Sequence, residues 1–346
     1  MRSLKYLSVF SLPILAFISF RSEGWMTYLP VIEAFILIPV LELFFKPDPS
    51  NLSAEEEAAR LNNPLYDFFV YAVVPVQLAL LFVFLQSLLQ PNLDTVTIIG
   101  RITGMGMLCG VLGINVAHEL GHRKKKSEQW MAKILLMTSL YMHFYIEHNR
   151  GHHKNVSTEE DPSSARLGES LYGFWLRSVV FAYLSAWKLE TKRLAKKQLP
   201  VFHFSNEMIH FHIIQGGLLF VIYWFFGLAI MLYFIAAAVV GFLLLETVNY
   251  IEHYGLARSK KGDVYERVMP VHSWNSDHIV GRIMLFELSR HSDHHYIASR
   301  KYQVLRHMDE SPQMPTGYPG MMMMAACPPL WFYVMNRKIS LMAAVQ

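Results

Sequence analysis

Long apolar stretches alternate with polar connections along most of the chain. The first four cover residues 4–20, 27–45, 69–89 and 96–117. Each is close to the roughly 20 residues that an α-helix needs to cross a bilayer. A longer apolar run has Gly227 near its middle, which predicts a tight hairpin of two more helices, at 213–228 and 230–248. The pattern therefore predicts six transmembrane helices.

Two further segments, 130–145 and 171–187, are apolar but short, and Lys133 and Arg177 interrupt them. If either segment crossed the membrane, the histidine-rich stretches described below would lie on opposite sides and could not share a metal. We therefore expect both segments to be helices that lie at the membrane interface or pack under the bundle.

The overall composition agrees with a membrane protein. Hydrophobic residues make up 53% of the chain and charged residues 17%, against about a quarter charged in soluble domains. We found no internal repeat, so we expect one domain, 1–346, with a cap formed by 118–212 and 249–346. The two cysteines, Cys109 and Cys327, are too few for a disulfide framework and are expected to be structural.

Charge predicts the orientation. On one side the connections between the predicted helices are rich in lysine and arginine, and the other side offers little beyond Arg21 and Arg101. Because positive loops stay in the cytoplasm, both termini and the whole cap are expected there. The expected fold is an all-α integral membrane protein with six transmembrane helices and a cytoplasmic cap. Nucleic-acid binding is not expected.

Four short stretches hold nine of the sixteen histidines. They are His118-Glu-Leu-Gly-His122, Glu147-His148-Asn-Arg-Gly-His152-His153, Asn249-Tyr-Ile-Glu252-His253-Tyr-Gly255 and Arg290-His291-Ser-Asp293-His294-His295. Neutral imidazole binds iron, zinc or copper, and spacings of three or four residues place two rings on one face of a helix. Nine candidate ligands are enough for more than one metal ion.

The first stretch by itself also matches a zinc metalloprotease pattern, with Glu119 as the base. The seven other clustered histidines argue against this, because a catalytic zinc needs only about three protein ligands. A metal transporter would need ligands inside the helix bundle, whereas these stretches lie at its edge.

Ligating histidines usually donate their second N–H to a carboxylate or carbonyl. We expect such a supporting role for Glu119, Glu147, Asp161, Glu252 and Asp293, with direct ligation as the alternative. Most of the histidines outside the four stretches are expected to be hydrogen-bonded residues of the cap. His272 is the expected exception, and we assign it to the surroundings of the site. No chemistry is assigned to the intramembrane residues Glu33, Glu42, Arg101 and Glu246.

Together the four stretches closely resemble those of the integral-membrane alkane 1-monooxygenases, within the membrane fatty acid desaturase and hydroxylase superfamily. The flanking segments Glu159-Glu-Asp161-Pro-Ser-Ser, His272-Ser-Trp-Asn275 and Pro315-Thr-Gly-Tyr-Pro-Gly320 are similar to family segments too. The resemblance extends from about residue 97 to 332. Where the family usually has Asn-Leu-Gln-Arg-His, this chain has Glu287-Leu-Ser289-Arg-His, which predicts altered hydrogen bonding near the site.

The resemblance implies a non-haem diiron enzyme of the bacterial inner membrane that hydroxylates the terminal methyl of medium- and long-chain n-alkanes. It implies O2 as the oxidant, rubredoxin with its reductase as the electron donor, and no catalytic residue beyond the metal centre. The implied iron ligands are His118, His122, His148, His152, His153, His253, His291, His294 and His295. A xylene-type side-chain monooxygenase and a membrane fatty acid desaturase or hydroxylase are the alternatives, with a zinc protease more remote.

An alkane partitions into lipid, so we expect it to enter laterally and to lie along the second, fourth and sixth helices. Bulky residues such as Phe35, Ile36 and Phe242 are expected to limit its length. Gly106 and Gly110, in the fourth helix, either pack against a neighbouring helix or open the substrate tunnel, and the packing role is favoured.

Overall fold

The computed structural model describes residues 2–343, and residues 1 and 344–346 of the expected domain lie outside the described residues. Within this part, six helices are long and apolar enough to cross a membrane, as the sequence predicts. In chain order these spans are Ser3–Arg21, Gly24–Glu42, Pro64–Ser87, Thr95–Gly121, Glu207–Phe226 and Leu228–His253. The boundaries differ by a few residues from the prediction. The largest differences are at spans five and six, where polar residues such as Glu207 and His253 still belong to the helices.

Local residues explain where the spans begin and end. Gly227 separates spans five and six with φ +85°, a conformation that suits glycine. Span two ends at Glu42, three residues before the predicted end. A helix that we did not predict, Ala54–Leu61, follows it, and Ser53 and Glu56 form a capping box at its start.

Spans four and six pack closely because both carry glycine at the contact. A Cβ atom on Gly110 would lie 2.8 Å from the carbonyl oxygen of Gly241, and one on Gly106 would overlap Val240. The packing role predicted for Gly106 and Gly110 therefore agrees with their contacts. Near this contact, span four changes from an α- to a π-helix over Leu108–Ile114, just before the first histidine stretch.

Of the two apolar segments that we did not predict to span the membrane, 171–187 lies within the helix Leu171–Ala195. The other, 130–145, is not one helix as expected but is divided between Lys126–Met137 and Phe144–Glu147. Neither is among the six candidate spans. Shorter elements make up most of the remaining cap. The helices are Phe144–Glu147, His148–His152, His153–Asn155, Pro270–His272, Ile279–Met284, His291–Tyr296, Tyr302–Val304, Tyr318–Ala325 and Pro328–Ala343, and the two strands are Lys260–Lys261 and Val264–Tyr265.

All four histidine stretches lie at the end of the bundle where spans four and six finish, called here the histidine end. Long-range polar contacts fix the cap to this end. Glu42 accepts from the backbone N–H of Gly281 at 2.9 Å, and Lys301 pairs with Asp67 at 2.9 Å. The other intramembrane ionisable residues are also paired: Glu33 accepts from Ser11, Glu246 from Tyr141, and Arg101 donates to backbone carbonyls.

Candidate metal centre

The nine histidines predicted as ligands converge into two adjacent clusters. The five-histidine cluster contains His118, His122, His148, His153 and His294, and the four-histidine cluster contains His152, His253, His291 and His295. Within each cluster, one ring nitrogen per residue lies within 4.8 Å of all the others. Each cluster draws on three of the four stretches, so the chain can form neither cluster until the cap has folded against the spans.

The backbone of the second and fourth stretches divides their histidines between the clusters. Residues His148–His152 form one π-helical turn, so His148 and His153, five residues apart, share a cluster and their Nε2 atoms lie 3.0 Å apart. His152, four residues after His148, faces the other cluster. The expectation that a spacing of four places both rings at one metal therefore fails here, although it holds for the His118–His122 pair.

Within each cluster the ring nitrogens lie close enough together to bind a common metal ion. Nε2 atoms of neighbouring rings lie 3.1 Å apart in the His122–His148 and His153–His294 pairs, and 3.3 Å apart in the His253–His291 pair. Among the described residues, both ring nitrogens of His118 and His295 are buried without a hydrogen-bond partner. Buried polar atoms are normally satisfied, and a bound cation would satisfy these. The donor set, all imidazole nitrogen, suits iron, zinc or copper.

Burial favours the neutral form of several of these imidazoles, and metal binding requires that form. It lowers the pKa of His122 to about 3. It also lowers the pKa of His148, His153, His294 and His295 well below the usual value, and the proximity of other histidines lowers it further.

A buried carboxylate outside the four-histidine cluster orients one of its rings. Nδ1 of His152 donates to Asp161 at 2.9 Å, which directs Nε2 toward the cluster. Asp161 in turn accepts from Ser164 at 2.5 Å and from the backbone of Ser163 at 3.1 Å. Burial raises the pKa of Asp161, but His152 and these hydrogen bonds outweigh it and hold the pKa below its usual range.

Glu252 lies on the inner side of the same cluster. Its Oε2 is 3.1 Å from Nε2 of His291, the ring nitrogen that faces His253. Its other oxygen accepts from the hydroxyl of Tyr318 at 2.6 Å. Sequence reasoning missed Tyr318 as a neighbour of the site, although it lies in one of the segments that carry the family resemblance.

Three other expected supporting carboxylates bind groups other than imidazole. Glu119 accepts from Arg123 at 2.8 Å, and Asp293 accepts from Arg300 at 2.6 Å. Glu147 is buried near Gly151 and Ser185, and burial together with the charge of Asp161 raises its pKa well above the usual value. These three position the stretches that carry the histidines.

His272 contributes through its backbone. Its carbonyl oxygen lies 3.4 Å from Nδ1 of His253, whereas its side chain lies 3.3 Å from Glu266, away from the clusters. Two other isolated histidines are hydrogen-bonded cap residues, as expected: His307 pairs with Asp277 at 2.6 Å, and His278 lies 3.0 Å from Ser276. The expectation is wrong for His210 and His212, which lie in span five because its helix begins at Glu207.

An apolar cavity leads from the clusters into the bundle. His118, His148, His291, Glu252 and Asn249 line one end. The rest of the wall is almost entirely apolar and comes mainly from spans two, four and six and the loop before His291. It includes Ala34, Phe35, Ile38, Met107, Gly110, Val111, Ile114, Leu244, Leu245, Val248, Met284, Leu285, Leu288 and Met322.

Of the predicted tunnel residues, Phe35 and Gly110 line this cavity. Ile36 points outward and is 57% exposed, Phe242 stacks on Tyr141 at 4.8 Å, and Gly106 packs against span six. Helical periodicity could have found most of the wall in span four. Counting back from His118 in steps of three and four reaches Ile114, Val111 and Met107.

The clusters differ in access to solvent. All four residues of the four-histidine cluster are buried, whereas His122 and His153 of the five-histidine cluster are half-buried. Exposed lysines adjoin them in the chain: Lys154 follows His153, and Lys124 lies two residues after His122.

The sequence is similar to known families over nearly its whole length. The family model described as fatty acid desaturase matches residues 95–324. Alkane 1-monooxygenase 1 of Pseudomonas aeruginosa is 44% identical over 89% of this chain and 82% of its own length, and alkane 1-monooxygenase of Pseudomonas putida is 37% identical over 92% and 80%. The xylene/toluene monooxygenase hydroxylase component of Pseudomonas putida is 26% identical over 96% and 87%. The chain therefore belongs to the integral-membrane alkane 1-monooxygenases of the fatty acid desaturase superfamily.

Proposed function

We propose that this monooxygenase holds two irons, one in each histidine cluster, and hydroxylates the terminal methyl of medium- and long-chain n-alkanes with O2 and electrons from rubredoxin. The observation that carries the proposal is the junction of the two clusters with an apolar cavity inside the membrane-spanning bundle. The proposed count of two follows from the division of nine histidines into two sets, each with one ring nitrogen per residue within 4.8 Å of the others.

When bound, two irons with O2 would supply the oxidising power that an unactivated C–H bond requires. The residues of the chain bind and orient the substrate and exclude water. Hydroxylation inserts one oxygen atom into the C–H bond and reduces the other to water, which consumes two electrons and two protons. No side chain needs to act as a nucleophile.

The cavity favours binding of an alkane by its end. Its polar residues lie at the histidine end, so a linear hydrocarbon buries most of its length against apolar side chains and presents one terminus to the clusters. From His118 back to Met107, span four rises about 16 Å, which suits a chain of medium length. The driving force is the burial of apolar surface.

Chain-length selectivity tests this orientation. Phe35→Ala should shift the product profile toward longer alkanes, because the loss of the aromatic ring enlarges the cavity that Phe35 lines. Ile36→Ala is the matched control, since Ile36 faces outward and its truncation should leave the profile unchanged. Gas chromatography of the 1-alkanols from a series of n-alkanes measures both. Identical profiles for Phe35→Ala and the wild type would remove Phe35 from the substrate path.

We propose that rubredoxin docks where His122 and His153 reach the surface. Two features support this location: these are the half-buried ligands, and exposed cations, Lys124 and Lys154, adjoin them. A basic rim favours encounter with an acidic electron-transfer protein. Lys154→Glu should raise the KM for reduced rubredoxin, whereas Lys196→Glu, an exposed control directly after the helix Leu171–Ala195, should not.

The orientation with this face in the cytoplasm of the bacterial inner membrane is part of the proposal. Lysines and arginines concentrate in the connections at the histidine end, which supports a cytoplasmic location. Reporter fusions after the connections at each end of the bundle test it, and a periplasmic signal at the histidine end would contradict it.

Metal analysis combined with product analysis tests the reaction. The purified protein in lipid nanodiscs should contain about two irons per chain and consume O2 with alkane and reductant, forming 1-alkanol. Similarity to the xylene/toluene monooxygenase component supports one alternative, side-chain hydroxylation of methylarenes. Benzylic alcohol from xylene without 1-alkanol from alkane would favour that alternative, and a single zinc per chain would overturn the diiron proposal.

A further inference from the structure

The loop before the last histidine stretch has an unusual backbone. Phe286 and Glu287 are consecutive and both have positive φ, +50° and +59°, which is rare and unfavourable for residues other than glycine, asparagine and aspartate. The same loop is part of the site. Leu285 and Leu288 line the cavity, and the loop leads directly into His291.

The helix at the start of span one, Arg2–Phe10, contacts this loop. Lys5 donates to Glu287 at 2.6 Å and Tyr6 donates to the same oxygen at 2.5 Å. The Tyr6 ring also stacks on Phe286, with centroids 5.7 Å apart. Arg282 lies 2.9 Å from the second carboxylate oxygen and completes the charge balance. We call Lys5, Tyr6, Glu287 and Arg282 the N-terminal clasp.

The clasp is buried enough for these contacts to matter. Glu287 is 5% exposed, so its charge depends on the two cations and not on water. Burial raises the pKa of Glu287, but Lys5 and Arg282 outweigh it and keep the pKa below its usual range. Glu287 makes these contacts with the start of span one and with Arg282. The hydrogen bonding predicted at this departure from the family pattern therefore joins two distant segments and is not made to the imidazoles. Ser289, the other departure, donates to the carbonyl of Ser276.

We propose that the N-terminal clasp is a positioning device for the metal centre: Lys5 and Tyr6 hold Glu287, and thereby the left-handed turn, in the conformation that directs His291 into the four-histidine cluster. The clasp acts through His291, which is the residue that would touch the metal, so this inference rests on the proposed metal-binding role of His291. It assigns the start of span one a function at the site in addition to membrane insertion.

The proposal can be tested by replacing Glu287 with asparagine. Asparagine adopts positive φ more readily than glutamate. In Glu287→Asn the turn should persist without the ion pair, and Lys5→Met should then have no further effect. In the presence of Glu287, Lys5→Met should disturb the four-histidine cluster, because the loop loses its anchor. Lys5→Arg should behave as the wild type.

Titration of metal-depleted protein in nanodiscs with Co²⁺, followed by its visible ligand-field bands, separates the outcomes. Lys5→Met and Glu287→Gln should weaken one of two binding events by about 10- to 100-fold and shift its bands, as the loss of an outer partner of a metal ligand does. His152→Ala identifies that event, because it removes a ligand of the four-histidine cluster. Arg21→Met, a cation at the opposite end of span one, is the matched control.

The results distinguish this inference from the proposed metal centre. If the wild type binds no Co²⁺ with imidazole-type bands, the metal centre itself is wrong. If it binds two ions and Lys5→Met leaves both affinities and spectra unchanged while lowering the unfolding temperature, the clasp only anchors the fold and the inference is wrong. Tyr6→Phe retains the stacked ring and provides a milder variant if Lys5→Met does not fold.

Discussion

The two histidine clusters use the same ligand chemistry in different surroundings. The four-histidine cluster is buried and has supports behind its rings: Asp161 on His152, and the carbonyl of His272 near His253. The five-histidine cluster reaches the surface through His122 and His153, and the charged residues next to it bind each other and not its rings. The difference indicates that the four-histidine cluster would hold a metal more rigidly, whereas the five-histidine cluster remains accessible from solvent.

Removal of one ligand from each cluster tests whether the clusters are separate sites. His152→Ala and His153→Ala are adjacent in sequence but belong to different clusters, and each should reduce the metal content by one ion while the other ion remains. Activity should fall by more than about 100-fold, the upper range for loss of an outer partner. Elemental analysis and product formation measure this. Loss of both ions in both variants would show that the clusters bind as one unit.

The buried ion pairs of Arg123 with Glu119 and Glu128, called here the buried platform of the five-histidine cluster, should contribute mainly to stability. Arg123 pairs with Glu119 and Glu128 at 2.8 and 2.9 Å, and all three side chains are nearly buried. Arg123→Met leaves these carboxylates without their cation and should cost about 3–5 kcal/mol. Arg306→Met is the control, because Arg306 is 43% exposed in its pair with Glu57 and should cost less than about 1 kcal/mol. Equilibrium unfolding in detergent provides both values, and equal losses would contradict the buried-platform interpretation.

The hydrogen bond between Asp161 and His152 should increase metal affinity at the four-histidine cluster. Asp161→Asn removes the charge that orients His152 and should weaken metal binding there by about 10- to 100-fold. Glu119→Gln is the comparison at the other cluster, and because Glu119 contacts Arg123 it should leave metal affinity nearly unchanged. Competition with a chromophoric chelator measures both. An equal effect of the two variants would contradict the proposed difference between the two clusters.

Acid should destabilise the metal-free protein. Burial lowers the pKa of His122 to about 3 in the folded state, whereas the unfolded side chain titrates near 6.5. Between these values the unfolded chain binds a proton that the folded protein does not. Stability should therefore fall as the pH decreases from about 6.5 toward 3, by up to about 1.4 kcal/mol per pH unit for this residue. Unfolding at several pH values measures the slope, which should be smaller in His122→Asn.

The smallest expected difference is kinetic. A hydrophilic chelator should remove metal in two phases, the faster from the five-histidine cluster, since His122 and His153 are accessible. Lys154→Ala should change neither the final extent of removal nor the number of phases. A single phase in the wild type would indicate equal access to both clusters.

The sequence predicted the spans and the convergence of the nine histidines because both depend on local patterns. An apolar run of about 20 residues can satisfy its backbone in lipid only as a helix, so six spans follow from hydropathy. The nine candidate ligands could be named because clustered imidazoles and the family resemblance agree. Single tunnel residues were harder to predict: Phe35 and Ile36 are neighbours in an apolar helix, and only packing decides which one faces the cavity.

By itself, the sequence determined that this protein is a six-span monooxygenase of the alkane 1-monooxygenase family with nine candidate imidazole ligands. Only the tertiary structure decided how those ligands divide, because His148 and His152 separate at a π-helical turn that spacing alone does not indicate. It also decided that Glu287 binds the first turn of the chain, 281 and 282 residues away in sequence. Such contacts depend on the burial of charge between distant segments, and local periodicity carries no information about them.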